Sequence, residues 1–304
     1  MNRQTILPAN EQEWLILRIE DLTSTDMAAL FSISPYLTNF ELWHRKKDKI
    51  IIELEPTERM VWGNRLQDSI AFGIAEERNW EVERMKAYMR LPEVRLGSSF
   101  DFRILSGGLL EIKNVDSLAF QRGWLLDGDN LEAPPHIELQ VQHQLLVSGE
   151  QLAFIGALVG GNRLILIKRE PDPAIHEAIQ EKAADFWMSI DASKEPQPDF
   201  ERDAKFIASL YKYASPGKLL DATNNPELDA MVQQYVSLGK NLKEIESARD
   251  AAKAKLLMKI GEAEKVTGES WTISAGLVGP AHIAYDRAGY RSFKVFQRGV
   301  KNAK

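Results

Sequence analysis

Two pairs of strand-like segments, each joined by a glycine turn, most constrain how this chain can fold. SSFDFRIL and LLEIKNV flank Ser106-Gly107-Gly108, and QLAFIGALV and RLILIKRE flank Gly160-Gly161-Asn162. Apolar segments that flank glycine turns are typical of β-hairpins. Helical apolar spacing precedes, separates and follows the two hairpins. The order predicts a mixed α/β core.

Helical periodicity predicts four principal helices, over residues 57–80, 136–147, 174–190 and about 226–266. Gly149 is expected to end the second helix, and Thr267-Gly268 the last. The polar segment KEPQPDF is typical of a linker. We therefore expect a core over residues 1–204 and a helical extension over 205–304, which contains the long helix and short strands.

Composition excludes several kinds of site. The chain has no cysteine, so disulfides, thiolate zinc sites, iron–sulfur clusters and cysteine nucleophiles are impossible. Its longest mostly apolar stretch, residues 152–159, is far shorter than the roughly 20 residues that span a bilayer. The N-terminus has no apolar signal segment. A net charge of −6 argues against a globally basic nucleic-acid binder. We expect a cytoplasmic protein with no membrane partner.

The first hairpin carries the candidate chemistry. Asp101 lies on its first strand, and Glu111 and Lys113 lie on its second. Period-2 alternation places Glu111 and Lys113 on one face and Ile112 on the other, and the turn brings Asp101 near. Two carboxylates beside a lysine suit Mg²⁺, which takes oxygen ligands. Such a cation polarises a phosphodiester and activates water. Alternating charges on a half-exposed strand are also common on plain solvated faces, so this pattern alone is a weak signal.

Five segments that follow one another along the chain strengthen the interpretation of the Asp101–Glu111–Lys113 pattern as a site. They are TSTDMAALFSISPYLTNFELWHRKK, WGNRLQDSIA, SSFDFRI, LLEIKNV and ELQVQHQLLVSG. Over these segments, from about Trp14 to Arg169, the chain resembles the phage recombination exonucleases of the lambda exonuclease and YqaJ type. Those enzymes belong to the PD-(D/E)XK nuclease superfamily. The resemblance implies an α/β fold with a restriction-endonuclease-like core, in which helices flank a central mixed β-sheet, and a C-terminal helical extension.

The resemblance also implies roles for individual residues. Asp101, Glu111 and the backbone carbonyl of Ile112 match the family's metal ligands, Lys113 its catalytic lysine, and Gln140 the glutamine that supports the site. The implied cofactor is Mg²⁺, for which Mn²⁺ can substitute.

Two further matches bear on the substrate and on the metal. Arg18 and Thr25 match the arginine and hydroxyl that hold the terminal 5′-phosphate in relatives, although Arg18 has Glu20 and Asp21 as alternative partners. Gln67 stands where the family's helix usually has glutamate. It either completes the metal site or makes a purely structural contact. The loss of this carboxylate is expected to weaken metal affinity.

The resemblance implies a Mg²⁺-dependent 5′-to-3′ exonuclease. It would degrade linear double-stranded DNA to 5′-mononucleotides and leave 3′ single-stranded tails for single-strand annealing recombination. The expected partners are DNA ends, a single-strand annealing protein and other copies of the chain in a ring-like homotrimer. The expected setting is a phage or prophage in a bacterial cell. The alternatives are a related nuclease of other polarity or endonucleolytic habit, and a non-catalytic DNA-end-binding protein.

Several residues outside these motifs carry structural expectations. His136 and His143 are expected to pack or to lie near DNA, not to bind metal. Core positions are expected for Trp14, Trp62, Trp80 and Trp124, with a DNA-end wedge as the alternative for Trp124. The long helix bears the apolar stripe Leu228, Met231, Tyr235, Leu238, Leu242, Ile245, Leu256 and Ile260. This stripe is expected to pack against its own domain or another subunit, and basic residues near its end allow a DNA contact.

Overall fold

A computed structural model describes residues 2–51, 56–127, 130–282, 284 and 289–295. The chain divides into two compact units, Met1–Ile207 and Ala208–Lys304. The sequence placed the boundary nearby, between residues 204 and 205. Within the described ranges, none of the helices combines the length and hydrophobicity that a bilayer crossing requires.

The first unit contains most of the secondary structure. Its helices, the last of which runs across the unit boundary, are α1 (Glu11–Glu20), α2 (Ser24–Leu30), α3 (Asn39–Lys47), α4 (Glu58–Arg78), α5 (Ser117–Gly123), α6 (Pro135–Ser148), α7 (Pro173–Asp191) and α8 (Ala204–Leu210). Its strands are β1 (Gln4–Ile6), β2 (Leu22–Thr23), β3 (Val82–Arg84), β4 (Tyr88–Leu91), β5 (Leu96–Ser98), β6 (Phe102–Ile104), β7 (Leu109–Val115), β8 (Leu125–Asp127), β9 (Asn130–Glu132), β10 (Ala153–Val159) and β11 (Arg163–Arg169).

The predicted helices of this unit are confirmed, and their ends have local causes. The Thr57 side chain accepts a hydrogen bond from the Met60 N–H and caps α4 at its N-terminus. Asn79 ends the same helix in the left-handed conformation, with φ of 53°. Gly149 ends α6 with φ of 77°, a conformation that glycine adopts without steric cost.

The central sheet is mixed, as predicted, and has the order β11-β10-β7-β6-β3. β7 pairs parallel with β10 and antiparallel with β6. Helix α4 covers one face, where its Ile70 and Ile74 pack with Leu110 and Ile112 of β7. A Cβ on Gly156 of β10 would lie 2.4 Å from the Ile74 Cδ1 atom, so glycine lets α4 approach the sheet closely.

Helix α6 covers the other face and is enclosed almost completely. It lies between the central sheet and a second sheet with the order β1-β4-β5-β2. Residues on several sides of α6, including Val141, Leu145 and Val147, are therefore buried. The strands of the second sheet are two to four residues long, and their sequences show too little alternation to have predicted it.

The second unit consists mainly of one long helix, α9 (Pro226–Ile260). The predicted end of this helix at about residue 266 is wrong, because Gly261 ends it with a positive φ of 56°. Val266 lies instead in β12 (Lys265–Thr267), which pairs antiparallel with β13 (Thr272–Ser274). Of the strand-like segment YRSFKVF, residues 290–295 have no regular structure and residue 296 lies outside the described residues.

His143 gives the fold a specific acid sensitivity. It is fully buried on α6, and burial lowers its pKa to about 4. The unfolded chain, in which histidine titrates near 6.5, therefore binds the proton more tightly. The contribution of neutral His143 to stability is complete above pH 6.5 and declines as the pH falls towards 4.

We expect the free energy of unfolding of the wild type, relative to His143→Leu, to fall by about 2–3 kcal/mol between pH 7 and pH 4.5. Urea denaturation of both proteins at the two pH values measures this difference, which removes the contributions of carboxylates that titrate in the same range. His136→Leu is the control, because His136 lies on the same helix but is only half-buried. The free energy of unfolding of the wild type, relative to this variant, should fall by less than about 1 kcal/mol over the same pH range. Equal pH dependence of wild type and His143→Leu would contradict the expectation.

Candidate active site

Strand β7 and helix α6 bring a lysine, a glutamate and a glutamine together. Strand alternation predicted that Glu111 and Lys113 share a face, and the resemblance implied the position of Gln140. The Lys113 ammonium donates to Glu111 Oε1 at 2.6 Å and to Gln140 Oε1 at 3.1 Å. The Gln140 amide donates in turn to Glu111 Oε1 at 2.7 Å. Although burial alone would lower it, the pKa of Lys113 is raised because Glu111 and Asp101 stabilise its charge. Lys113 is therefore an ammonium at neutral pH and acts as a donor, not as a base.

Gln144 is a member of the site that the sequence reasoning did not single out. Its amide donates to Glu111 Oε2 at 2.8 Å and to the Ser99 carbonyl at 3.3 Å. It is 2% exposed, and it thus links Glu111 to the segment that precedes Asp101. The signal was present, because Gln140 and Gln144 are four residues apart and so share one face of the helix.

Asp101 lies immediately before β6, one residue short of the strand on which the sequence placed it. Its Oδ2 atom accepts a hydrogen bond of 2.8 Å from the Ile112 N–H of β7. Burial, followed by the negative charge of Glu111, raises the pKa of Asp101 to about 7, against the lowering effects of Ile112, Lys113 and Gln67. Two carboxylates that repel each other in a buried place fit a divalent cation, which would relieve this repulsion.

Gln67 contributes to this region from α4, on the opposite side of the sheet from α6. Its hydrogen bond to Asp101 helps to lower the pKa of that carboxyl, and its Oε1 atom accepts from the Arg84 guanidinium. Arg84 also pairs with Asp68 at 3.2 Å, so Asp68 is engaged elsewhere. Among the described residues no group of three or more His, Asp or Glu side chains suits a metal. A cation here would rely on Asp101, Glu111 and neutral oxygens.

Arg18 and Thr25 lie together at the junction of α1 and α2. The Arg18 guanidinium donates to the Thr25 hydroxyl at 3.3 Å and lies 4.6 Å from the centre of the Trp14 ring. The alternative partners of Arg18 are engaged by another residue, because Arg90 pairs with Asp21 at 2.6 Å and with Glu20 at 3.8 Å. Thr25 is exposed, so a ligand can reach it.

A cavity of about 510 Å³ is lined by Thr25 of the Arg18–Thr25 pair and by Lys113 and Gln140 of the cluster around Glu111. Arg59 and Arg122 add positive charge to the same wall. His136 lines the cavity too, and burial, followed by the charge of Lys113, lowers its pKa. The cavity thus offers an anionic ligand several donors beside the Asp101–Glu111 pair.

Not all of the expectations for aromatic residues hold. Trp124 is 7% exposed and stacks on Phe120 with ring centres 5.5 Å apart. This confirms its predicted core position, and the buried ring does not protrude as a DNA-end wedge would. Trp62 is 48% exposed, so its predicted core position is wrong. Its ring faces Arg65 on the outer side of α4, where it covers no apolar cluster. Trp14 is half-buried and donates to the Ser99 hydroxyl at 2.8 Å.

Comparison with known proteins bears on the resemblance. The family model described as the YqaJ-like viral recombinase domain matches residues 13–151, a segment that contains every candidate site residue. The resemblance to YqaJ-type proteins is confirmed. A Bacillus subtilis (strain 168) protein described as the uncharacterized protein YqaJ is 26% identical over 256 residues, which cover 81% of this chain and 78% of that protein.

Solved structures give a weaker likeness. An alkaline exonuclease from Laribacter hongkongensis matches with a TM-score of 0.48 and 18% sequence identity, over 65% of this chain and 100% of that one. The same exonuclease in complex with dAMP gives the same values.

Proposed function

We propose that this chain is a Mg²⁺-dependent exonuclease that degrades linear double-stranded DNA from 5′ ends. It releases 5′-mononucleotides and leaves 3′ single-stranded tails. The observation that carries the proposal is the cluster in which Lys113 bridges Glu111 and Gln140 beside Asp101, on the wall of a cavity that also contains Thr25. The match to the YqaJ-like viral recombinase domain supports a role in recombination, and we propose a single-strand annealing protein as the partner in it.

The residues of the site divide the chemistry among them. Asp101, Glu111 and the Ile112 carbonyl would hold the cation, which supplies charge stabilisation at the phosphodiester and activation of a water. The Lys113 ammonium has three N–H groups, and two of them donate hydrogen bonds to Glu111 and Gln140. Within the described part of the chain the third N–H group has no acceptor, so it can orient the attacking water or neutralise developing charge.

The glutamines of α6 keep this arrangement fixed. Gln140 and Gln144 each donate to a different oxygen of Glu111, so the carboxylate has a defined orientation before a cation binds. Gln67 lies near Asp101 from the other face of the sheet, and its amide oxygen would add a neutral ligand only after it leaves the Arg84 guanidinium. We expect metal affinity to be lower than it would be with glutamate at this position.

The polarity of the proposed reaction depends on Arg18 and Thr25. A guanidinium and a hydroxyl that share a hydrogen bond suit a terminal phosphate, because both can donate to its oxygens, and the hydroxyl of Thr25 belongs to a residue that lines the cavity. A duplex whose 5′-phosphate lies there would present its first phosphodiester towards Lys113. This placement explains why hydrolysis would start at a 5′ end.

A duplex with a 5′-phosphate at one end and a 5′-hydroxyl at the other tests the proposal. With Mg²⁺, we expect mononucleotide release to favour the phosphorylated end by at least about tenfold, since a charge-assisted hydrogen bond contributes about 1.5–3 kcal/mol. Arg18→Met should reduce this preference to about one. Arg78→Met, at the exposed end of α4, is the matched control and should keep it.

The other outcomes separate the alternatives. Release without end preference in the wild type would keep the nuclease and reject the phosphate pocket. Internal cuts in circular DNA would favour an endonuclease. No release in Mg²⁺ or Mn²⁺, with DNA ends still bound, would favour the non-catalytic DNA-end-binding protein.

A further inference from the structure

Helix α9 carries an apolar seam whose repeat differs from that of an ordinary amphipathic helix. The seam positions alternate in steps of three and four residues and are Leu228, Met231, Tyr235, Leu238, Leu242 and Ile245. Each step of three with the following step of four makes seven residues, the heptad repeat with which two helices wrap around each other in a left-handed coiled coil. In heptad notation these residues occupy alternating a and d positions.

The described residues of the second unit do not cover the seam. The exposed fractions of its side chains range from 38% at Leu228 to 65% at Ile245, and the two central leucines are 58–59% exposed. All 35 residues of α9 are described, and none of them is buried. Phe293 contacts the Tyr235 ring edge-on, yet Tyr235 stays 54% exposed. A row of six large apolar side chains in water is costly, and such rows mark association surfaces.

Charges along α9 indicate which kind of helix fits the seam. Arg249 is the next a position after Ile245. A parallel copy of α9 would place two Arg249 side chains against each other inside the interface, where like charges repel. An antiparallel copy would place Arg249 against an apolar d position, over which its stem can pack. The same reversal brings the acidic first turn, with Glu227 and Asp229, near the basic end of the other helix, with Lys255.

We propose that α9 helices from two copies of this chain pair as an antiparallel coiled coil. In the favoured register, Leu238 packs against Leu242 of the partner subunit at the centre. Met231 then lies beside Arg249 of the partner subunit, and Glu227 lies beside Lys255 of the partner subunit. The acidic first turn of each helix therefore lies beside the basic end of the other helix, and the six seam residues are covered. This pairing uses the second unit only and does not depend on the proposed nuclease activity.

The mass of the full-length protein in solution tests the pairing. Leu238→Glu combined with Leu242→Glu puts four carboxylates into the central layers, so we expect the mass measured by light scattering to halve. The matched control is Leu257→Glu with Met258→Glu, which changes two exposed apolar residues off the seam on the same helix. The control should keep the wild-type mass. Circular dichroism should show that both variants retain the helical content of the wild type.

Cross-linking tests the direction of the pairing. The chain has no cysteine, so Asn241→Cys and Glu227→Cys each carry a single thiol. In the antiparallel pair the two residues at 241 face each other near the centre, whereas the two at 227 lie about 40 Å apart. A bis-maleimide that spans about 13 Å should therefore join Asn241→Cys chains into a covalent dimer and leave Glu227→Cys chains unjoined. An equimolar mixture of Glu227→Cys and Lys255→Cys chains should cross-link.

Each other outcome overturns the proposal. A monomeric wild type would mean that the seam packs on its own chain or on another protein. An unchanged mass in the Leu238/Leu242 variant would mean that copies associate through other surfaces. Efficient cross-linking of Glu227→Cys chains in the absence of Lys255→Cys chains would mean a parallel pair.

Discussion

Replacing Lys113 by methionine is expected to slow the release of mononucleotides from linear duplex DNA by about 10³-fold, the scale seen when a positioned donor is removed from developing charge. Methionine has a similar volume but no N–H group, so the change removes the donor that faces the cavity without opening a large space. The rate is measured in Mg²⁺ with saturating DNA.

A second measurement distinguishes a chemical role from a structural one. Glu111 keeps its bonds from Gln140 and Gln144 when Lys113 is lost, so the variant should remain folded and should still bind Mn²⁺. Lys168→Met, on β11 of the same sheet and 57% exposed, is the control and should keep the wild-type rate. More than a tenth of the wild-type rate in Lys113→Met would contradict the assigned role.

The largest effect on stability is expected at Lys46 of α3. Its side chain is 4% exposed, and its ammonium donates to the carbonyls of Arg18 and Asp21, both at 2.6 Å, and pairs with Asp26 at 2.8 Å. Burial disfavours the charged form of Asp26, yet the positive charges of Lys46 and Arg18 lower the pKa of this carboxyl. Lys46→Met would leave that buried carboxylate unpaired, and we expect a loss of about 3–5 kcal/mol in the free energy of unfolding.

Urea denaturation followed by tryptophan fluorescence measures the loss. Lys47→Met is the control, because Lys47 is exposed on the same helix and should cost less than about 1 kcal/mol. The double variant Lys46→Met with Asp26→Asn should recover part of the loss, since it removes the unpaired charge as well. Equal effects of the Lys46 and Lys47 changes would contradict the expectation.

These two lysines show where sequence reasoning succeeds and where it does not. The period of a strand is local information, and it placed Lys113 on the same face as Glu111. Lys46 belongs to a run of basic residues at the end of α3, a pattern typical of a solvated helix end. Its burial results from carbonyls 25 and 28 residues away in the chain, which no local pattern encodes.

The same distinction applies to the rest of the molecule. The hairpins, α4, α6 and α7 follow from periodicities of two and 3.6 and from end residues such as Gly149. The second sheet does not, because β1 pairs with β4 across more than 80 residues through three-residue registers. The end of α9 at Gly261 was missed because helical apolar spacing reaches Ile260 and the following Glu-Ala-Glu-Lys still favours helix.

The parallel pairing of β7 and β10 has a consequence for the evolution of such domains. A chain that returns to run parallel to its own strand must cross back over the sheet, and here the crossover contains α5, the β8–β9 hairpin and α6. Helix α6 is held between two sheets, whereas α5 and Trp124 form a wall of the cavity. Substitutions in α5 can therefore change that wall while α6 stays in place behind β7, and we expect divergence in what the cavity accepts to begin there.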